Sequence, residues 1–279
     1  MGIVTLTTDL GYRDPYLAIV KAGLLAGSPN LQIIDLSCDI KDNTISDAAF
    51  ILKNSLVYFP ANTIHLVAVK FIVESSQLSK PNHIDNTRYL ITKYKDQFIV
   101  CPDNGLFTLI DPAFNEVVYQ LYFEDNSKHH FFLKDVFVDV ARLILLEGEG
   151  KSLEEIMKEH GTIATDYYKA VQFESFVDKN VLRGKGIYVD DFGNIITNIT
   201  RQQFQEVIGK KSFSITLPGT RINSIQRTYD DVKLGQPLVL FNSFGNLEVA
   251  VNGGSAQKML CPRDVGAKFD FNLLIEFND

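Results

Sequence analysis

The sequence predicts an α/β protein with an N-terminal three-layer α/β domain, built on a mainly parallel sheet, and a C-terminal all-β barrel domain. The length of 279 residues fits one large domain or two ordinary ones. The first half alternates short apolar, β-branched segments with segments of helical periodicity, whereas the second half consists mostly of short strands and turns. This change lies near residue 168, so we expect domains over residues 1–168 and 169–279.

The N-terminal half begins with a βαβαβ alternation, which is typical of a parallel sheet covered by helices. We expect Asp14 to be the N-cap of the first helix, with Pro15 at its first position. A hairpin is expected around Lys95-Asp96, and residues 75–86 are expected to form a loop. The remaining elements are strands at 3–7, 32–36 and 63–69 and helices at 16–25, 46–56 and 136–147.

The C-terminal half reads as a small barrel or sandwich, because short strands alternate with turn signals. One helix, at 200–208, interrupts the series. The expected strands lie at 185–189, 212–216, 238–241, 247–251 and 273–277.

Composition excludes several classes of protein. Hydrophobic residues make up 46% and charged residues 22%, which is the composition of a globular protein rather than a disordered one. A net charge of −7 gives no support for nucleic-acid binding. No apolar run is long enough for a membrane span, and the N-terminus lacks the pattern of a signal peptide. We therefore expect a cytoplasmic protein in which Cys38, Cys101 and Cys261 are reduced thiols.

Known cofactor and metal motifs are missing. The sequence has no phosphate-binding loop, no GxGxxG fingerprint and no GxSxG nucleophile elbow. It also has no HExxH and no paired His/Cys ligand spacing, so we expect no metal and no separate cofactor.

The first polar cluster, from Asp9 to Asp14, follows the first strand. In open α/β sheets, ligands bind at the carboxyl ends of the strands. A carboxylate at this edge can accept hydrogen bonds from both hydroxyls of a ribose diol. The alternative is purely structural, with Asp14 as a helix cap and Asp9 as a turn former, and the local sequence leaves both open.

Three further clusters are ambiguous. Residues 102–105 read as a turn of the Asn-Gly kind. In Asp190–Asn194, Phe192 could stack on a flat ring while Asn194 bonds its edge; the alternative is a hairpin with a glycine bulge. Residues 242–246 and 252–256 contain Gly and Ser that let a ligand approach the backbone, or they are turns between strands.

Taken together and in order, these segments resemble one family. It contains the S-adenosyl-L-methionine (SAM) hydroxide adenosyltransferases, also called SAM hydrolases, and the related SAM-dependent fluorinases and chlorinases. The resemblance implies an α/β domain, a β-barrel domain, SAM or adenosine as ligand, and a homotrimer with sites shared between the N-domain of one subunit and the C-domain of the next. The matching segments are TTDLGYRDPY (7–16), IDLSCDI (34–40), FPANTIHLVAV (59–69), CPDNGLF (101–107), KDVFVDVARLILLEG (134–148), VDDFGNIITNI (189–199) and NSFGNLEVAVNGGSA (242–256).

In the first domain, the resemblance implies a ligand site around the Asp9-to-Asp14 turn. Asp14 matches the family's ribose-diol carboxylate. Tyr58 and Thr63 lie near positions that line the ribose and the reacting carbon.

In the second domain, Asp190, Phe192 and Asn194 match residues around the methionine end and the adenine. Ser243 matches a contact to the methionine carboxylate or amine. The family's backbone contacts to adenine are matched by Ser255 and Ala256.

The departures from the family lie at the chemistry. Hydroxide-transferring members carry an Asp, an Arg and a His that position and activate water; here Lys70, Gln77 and Phe132 take their places. The loss of an acceptor, a cation and a general base should remove most of that activation. The candidates to replace them are His130, which on a strand would face the same side as Phe132, and Lys134.

Three hypotheses follow. The protein cleaves SAM to adenosine and L-methionine with a degenerate triad, or it binds adenosine or SAM without turnover. The third, halide-dependent adenosyl transfer, ranks below both. Halogenases have a small Ser or Gly where this chain has Leu133, whose branched side chain would fill the anion site.

Overall fold

The computed structural model describes residues 2–41, 44–69, 88–122, 131–147, 150–261 and 270–278, without the side chains of residues 146 and 147. The chain divides into two compact units, Met1–Val171 and Gln172–Asp279. Each unit has its own sheet and its own core, and each is described by itself.

The first unit is built on a mixed seven-stranded sheet with the order β2-β1-β3-β5-β4-β6-β7. The four strands β2, β1, β3 and β5 are parallel, as predicted, whereas β5, β4, β6 and β7 pair antiparallel. The direction changes at the expected hairpin, where Lys95 and Asp96 both adopt positive φ. The strands are β1 (Ile3–Thr8), β2 (Gln32–Ser37), β3 (Ile64–Ala68), β4 (Tyr89–Tyr94), β5 (Gln97–Pro102), β6 (Val118–Leu121) and β7 (Gly161–Ile163).

Helices cover both faces of this sheet, which confirms the three-layer arrangement. One core contains Leu24 and Val20 of the first helix together with the helices that follow residue 131. The core on the other face contains Leu52 and Phe107. The helices are α1 (Tyr16–Gly27), α2 (Ile45–Leu56), α3 (Leu106–Ile110), α4 (Val138–Glu147) and α5 (Leu153–His160).

The structure departs from the sequence-based expectations at three places. Asp14 does not cap α1: Pro15 is the N-cap residue and the cap has no side-chain hydrogen bond. The sequence reading missed α5, although Ser152 and Glu155 form a capping box at its start.

The third correction concerns the segment expected to be strand-like around Phe132. Its backbone is helical, with φ −54° and ψ −38°, and it leads into a π-helical turn, Leu133–Phe137, before α4. The carboxylate of Asp135 accepts a hydrogen bond from the Phe131 N–H at 3.1 Å. This bond satisfies a backbone donor at the helix start, which favours the helical conformation over a strand.

The second unit forms an antiparallel sheet that curls around one core, which confirms the barrel. The strand order is β12-β11-β15-β9-β10-β14-β13, and β8 also pairs with β9. Phe204 packs on both Phe213 of β11 and Phe241 of β13, and Gln226 N–H donates to Val239 O at 2.8 Å, so the two ends of the sheet approach each other. The elements are β8 (Phe176–Asp178), β9 (Val181–Val189), β10 (Ile195–Thr200), α6 (Arg201–Val207), β11 (Phe213–Leu217), β12 (Thr220–Ile222), β13 (Pro237–Phe241), β14 (Asn246–Val251), α7 (Ala256–Leu260) and β15 (Asn272–Phe277).

Candidate functional site

The first polar cluster lies at the carboxyl ends of the neighbouring parallel strands β1, β2 and β3. Thr8 at the end of β1 pairs with Ala68 at the end of β3. The Gly11 N–H donates to the carbonyl of Cys38, which follows β2, at 2.6 Å. Gly11 has a φ of +69°, a conformation that favours glycine. The turn from Asp9 onward is thus held at the sheet edge where ligands bind in open α/β folds.

Asp14 lies exposed at this edge, just before α1. Within the described ranges, no residue donates a hydrogen bond to its carboxylate. Asp9 is half-buried in the same turn. Because Asp14 neither caps the helix nor pairs with a cation there, its carboxylate is free to accept hydrogen bonds from a ligand.

An apolar wall stands where the resemblance places the water-activating His. We define it as Phe131, Phe132 and Leu133. Phe131 contacts Tyr16 edge-to-face at 5.4 Å, and the rings of Phe132 and Tyr89 lie 5.5 Å apart. Leu133 is fully buried in the core. None of the three side chains of the wall can accept a proton or hydrogen-bond a nucleophile.

Lys134, next to the apolar wall, is a poor candidate for a base. Its ammonium lies 2.9 Å from Asp135. The hydrogen bond to Asp135 raises the pKa of Lys134, so the amine stays protonated. The other positions singled out for catalysis, Lys70, Gln77 and His130, lie outside the described residues.

Tyr58 and Thr63 have different environments. Tyr58 is largely exposed after the end of α2. Thr63 is buried, and its hydroxyl donates to the carbonyl of Pro60 at 2.8 Å. The Thr63 hydroxyl therefore holds its own turn together.

A buried polar relay crosses the first sheet. Thr5 Oγ1 lies 2.7 Å from His65 Nδ1, and His65 Nε2 lies 2.8 Å from Gln97 Oε1. The Gln97 amide donates to the carbonyls of Leu56 and Phe59, so Gln97 Oε1 must accept from His65 Nε2–H. His65 is thus a neutral Nε2–H tautomer that accepts from Thr5. Burial lowers the pKa of His65 to about 4, with the Gln97 hydrogen bond acting in the opposite direction.

In the second unit, the turn Asp190–Asn194 presents Phe192 with 79% of its surface exposed. Asp190 Oδ1 accepts from the N–H groups of Phe192 at 3.1 Å and Asn194 at 2.8 Å. Asp190 Oδ2 accepts from the Asn194 amide at 3.0 Å. The turn forms a hairpin, which was the alternative to a ligand site. It also exposes the aromatic ring that stacking on a ligand would require.

The loop before α7 contacts this turn. The Gln257 N–H donates to Gly193 O at 2.9 Å, and a Cβ at Gly193 would collide with Ser255. Ser255 caps α7 by accepting from the Lys258 N–H at 3.2 Å, and Ala256 is buried. The structure therefore brings the segments around Asn194 and Ser255 together.

Ser243 lies at the other end of the same strands. Its turn precedes Asn246, which pairs with Thr200, whereas Ile195, next to the Asp190–Asn194 turn, pairs with Val249. At about 3.3 Å per residue, the length of β14 separates the Ser243 and Ser255 segments by roughly 15–20 Å.

Sequence reasoning missed Glu248, a buried carboxylate on β14 that is 3% exposed. It accepts a hydrogen bond from the Tyr229 hydroxyl at 2.8 Å. Burial raises the pKa of Glu248; the Tyr229 bond counteracts this, and the charge of Asp190 adds to it. The available signal was a lone acid within the otherwise apolar strand Leu247–Val251.

Other possible sites are weaker. An open depression at the Lys95–Asp96 hairpin lies at the opposite end of β5 from the candidate edge and contains none of the predicted residues. In the parts of the chain that the structure covers, no three His, Cys, Asp or Glu side chains form a metal-binding group. No helix among the described residues has the length and apolar character to cross a membrane.

Comparisons with known proteins identify relatives along nearly the whole chain. A (R)-S-adenosyl-L-methionine hydrolase of Methanocaldococcus jannaschii is 27% identical over 278 residues, covering 93% of this chain and 92% of the relative. The protein of the same name from Thermus thermophilus is 27% identical over 277 residues, with coverage of 93% and 96%.

Solved structures show the same fold. A conserved protein of Thermotoga maritima superposes with a TM-score of 0.77 at 24% identity, covering 98% of this chain and 99% of that one. A conserved protein of Thermus thermophilus gives a TM-score of 0.69 at 26% identity over the full length of both chains.

The family models for the N-terminal and C-terminal domains of SAM hydroxide adenosyltransferases match residues 4–156 and 184–263. The chain therefore belongs to the SAM hydroxide adenosyltransferase family.

Proposed function

We propose that this protein binds SAM through its adenosine group and hydrolyses it slowly to adenosine and L-methionine. Family membership and the names of the hydrolase relatives support SAM as the substrate. The apolar wall supports slow hydrolysis. Its side chains cannot take a proton, and they lie where other members of the family have a general base.

Asp14 is proposed to accept hydrogen bonds from the ribose diol. In the second unit, Phe192 and Asn194 are proposed to bind the adenine base, and Ser255 and Ala256 to contact it through their backbone. Ser243 is proposed to contact the methionine end; its distance from Ser255 along β14 fits an elongated ligand.

These residues belong to two units, and we propose that a homotrimer unites the N-terminal unit of one subunit with the C-terminal unit of the next. We also propose a cytoplasmic location, because Cys38, Cys101 and Cys261 form no disulfide within the described part of the chain.

The proposed reaction is an in-line displacement at the ribose C5′. A water oxygen attacks C5′, the C5′–S bond breaks, and its electron pair stays on sulfur as neutral methionine. The proton of the attacking water passes to solvent. The sulfonium is a good leaving group, so holding SAM and water in line supplies part of the acceleration without a base.

The apolar wall also favours a second candidate, adenosine or SAM binding without turnover. Halide transfer ranks below both, because Leu133 is fully buried and offers no donor to an anion.

The test begins with mass spectrometry of purified protein for bound adenosine or SAM. The protein is then incubated with SAM, and adenosine and methionine are measured by chromatography against a protein-free control. Release above the control that is lost in Asp14→Ala supports hydrolysis. Binding without release supports the second candidate, and a protein that neither binds nor cleaves SAM refutes both.

A further inference from the structure

Two turns of the second unit are built in the same way. Asp190–Asn194 and Asn242–Asn246 share the pattern Asx-x-Phe-Gly-Asn. In each turn, Oδ1 of the first residue accepts from the N–H groups of the third and fifth residues, at 3.1 and 2.8 Å in the first turn and 3.1 and 3.1 Å in the second. Gly193 and Gly245 have φ of +83° and +82°. The same turn therefore forms with either Asp or Asn at its first position.

The two turns differ in where the last Asn side chain points. Asn194 Nδ2 donates to Asp190 Oδ2 at 3.0 Å, whereas Asn246 Nδ2 donates to Thr197 O at 2.9 Å. A carboxylate only accepts hydrogen bonds, so the Asn194 amide must direct its NH2 group toward Asp190.

The other side of the Asn194 amide is available. Asn194 is 5% exposed, and its Oδ1 receives no hydrogen bond from any described residue. Because this oxygen is not completely buried, solvent reaches it. The turn thus presents an acceptor beside the exposed ring of Phe192.

We infer that Asp190 is a positioning residue, which orients the Asn194 amide so that the site selects a 6-aminopurine over a 6-oxopurine. This inference rests on the proposed function, in which Phe192 and Asn194 bind the base. The exocyclic amine of adenine donates to Asn194 Oδ1, whereas the 6-oxygen of hypoxanthine would face it with lone pairs. The three hydrogen bonds that the Asp190 carboxylate accepts all lie within its own turn, so Asp190 acts through Asn194.

The substitution Asp190→Asn should reverse this selection. In the second turn, Asn242 uses Oδ1 for the two backbone N–H groups, which leaves its NH2 where Asp190 has Oδ2. An Asn at 190 would therefore donate toward Asn194. The Asn194 amide would rotate to accept that bond and would present its own NH2 to the ligand, which suits a 6-oxopurine.

The experiment measures the affinity of the full-length protein for adenosine and for inosine by calorimetry. The wild type should bind adenosine about 10- to 100-fold more tightly than inosine, the effect of one mismatched polar contact. In Asp190→Asn this ratio should fall at least about tenfold, toward or below one. The matched control is Asp191→Asn, which removes the same charge from an exposed neighbour and should keep the wild-type ratio.

A wild-type ratio retained in Asp190→Asn, or lost equally in Asp191→Asn, overturns the inference. A wild type that binds both nucleosides equally also overturns it. Binding of neither nucleoside is a different result, because it refutes the proposed function and removes this inference with it. Thermal melting of each variant shows whether a lost affinity comes from unfolding.

Discussion

Acid should destabilise the protein through His65, the neutral histidine of the buried relay. The unfolded chain exposes an ordinary histidine with a pKa near 6.5, whereas the folded pKa is about 4. Below 6.5 the unfolded state therefore binds a proton that the folded state does not. The contribution of His65 to stability is complete above this pH and is lost as the pH falls toward 4.

The magnitude follows from the two pKa values of His65. Each unit of difference is worth about 1.36 kcal/mol, so the full loss is about 3 kcal/mol, of which about 2 kcal/mol falls between pH 7 and 5. Asp47 acts in the opposite direction. Burial raises the pKa of Asp47 to about 6, so its contribution is present at low pH and is lost as the pH rises from 3.8 to 6.

Because these two groups oppose each other, the measurement compares variants. Urea unfolding at about pH 7 and pH 5 gives the stability change for wild type, His65→Gln and the control His160→Gln, which removes a half-buried histidine at the end of α5. His65→Gln should lose about 2 kcal/mol less than wild type on acidification, and His160→Gln should behave like wild type. Equal losses in wild type and His65→Gln would refute a neutral, buried His65.

Three predictions concern the proposed function. Asp14→Ala should weaken adenosine binding by about 1–3 kcal/mol in calorimetry, because the ribose hydroxyls lose their acceptor; unchanged affinity in a folded variant contradicts this. Light scattering should show a trimer, and a monomer at micromolar concentration that still binds ligand would argue against shared sites. Restoring Lys70→Asp, Gln77→Arg and Phe132→His together should raise adenosine release from SAM more than any single change, since each such group typically supplies a factor of about 10² to 10⁴ and the three act as a unit. A wild-type protein that hydrolyses SAM as fast as relatives with the triad would contradict this prediction.

Local pattern in the sequence was enough for most of the fold. The alternation of strands and helices in the first unit, and the short strands of the second, follow from periodicity and turn residues that act over a few positions. The Lys95-Asp96 hairpin was predicted for this reason. Where prediction failed, a local signal was misjudged: Pro15 rather than Asp14 is the cap residue of α1, and the capping box of α5 was overlooked.

Some features of the candidate site were also visible in the sequence. The place of the Asp9-to-Asp14 turn at the sheet edge follows from its position after a parallel strand. The family followed from ordered motifs along the chain, and the matching family models confirm it.

The tertiary structure alone decided which polar groups remain available. Asp190 has the same residue type as Asp14, yet its carboxylate is used within its own turn, whereas Asp14 is exposed. Glu248 is buried against Tyr229, and His65 joins Thr5 to Gln97 across three strands. The physical reason is that hydrogen-bond partners and burial depend on which distant segments pack together, and the local sequence pattern does not specify those contacts.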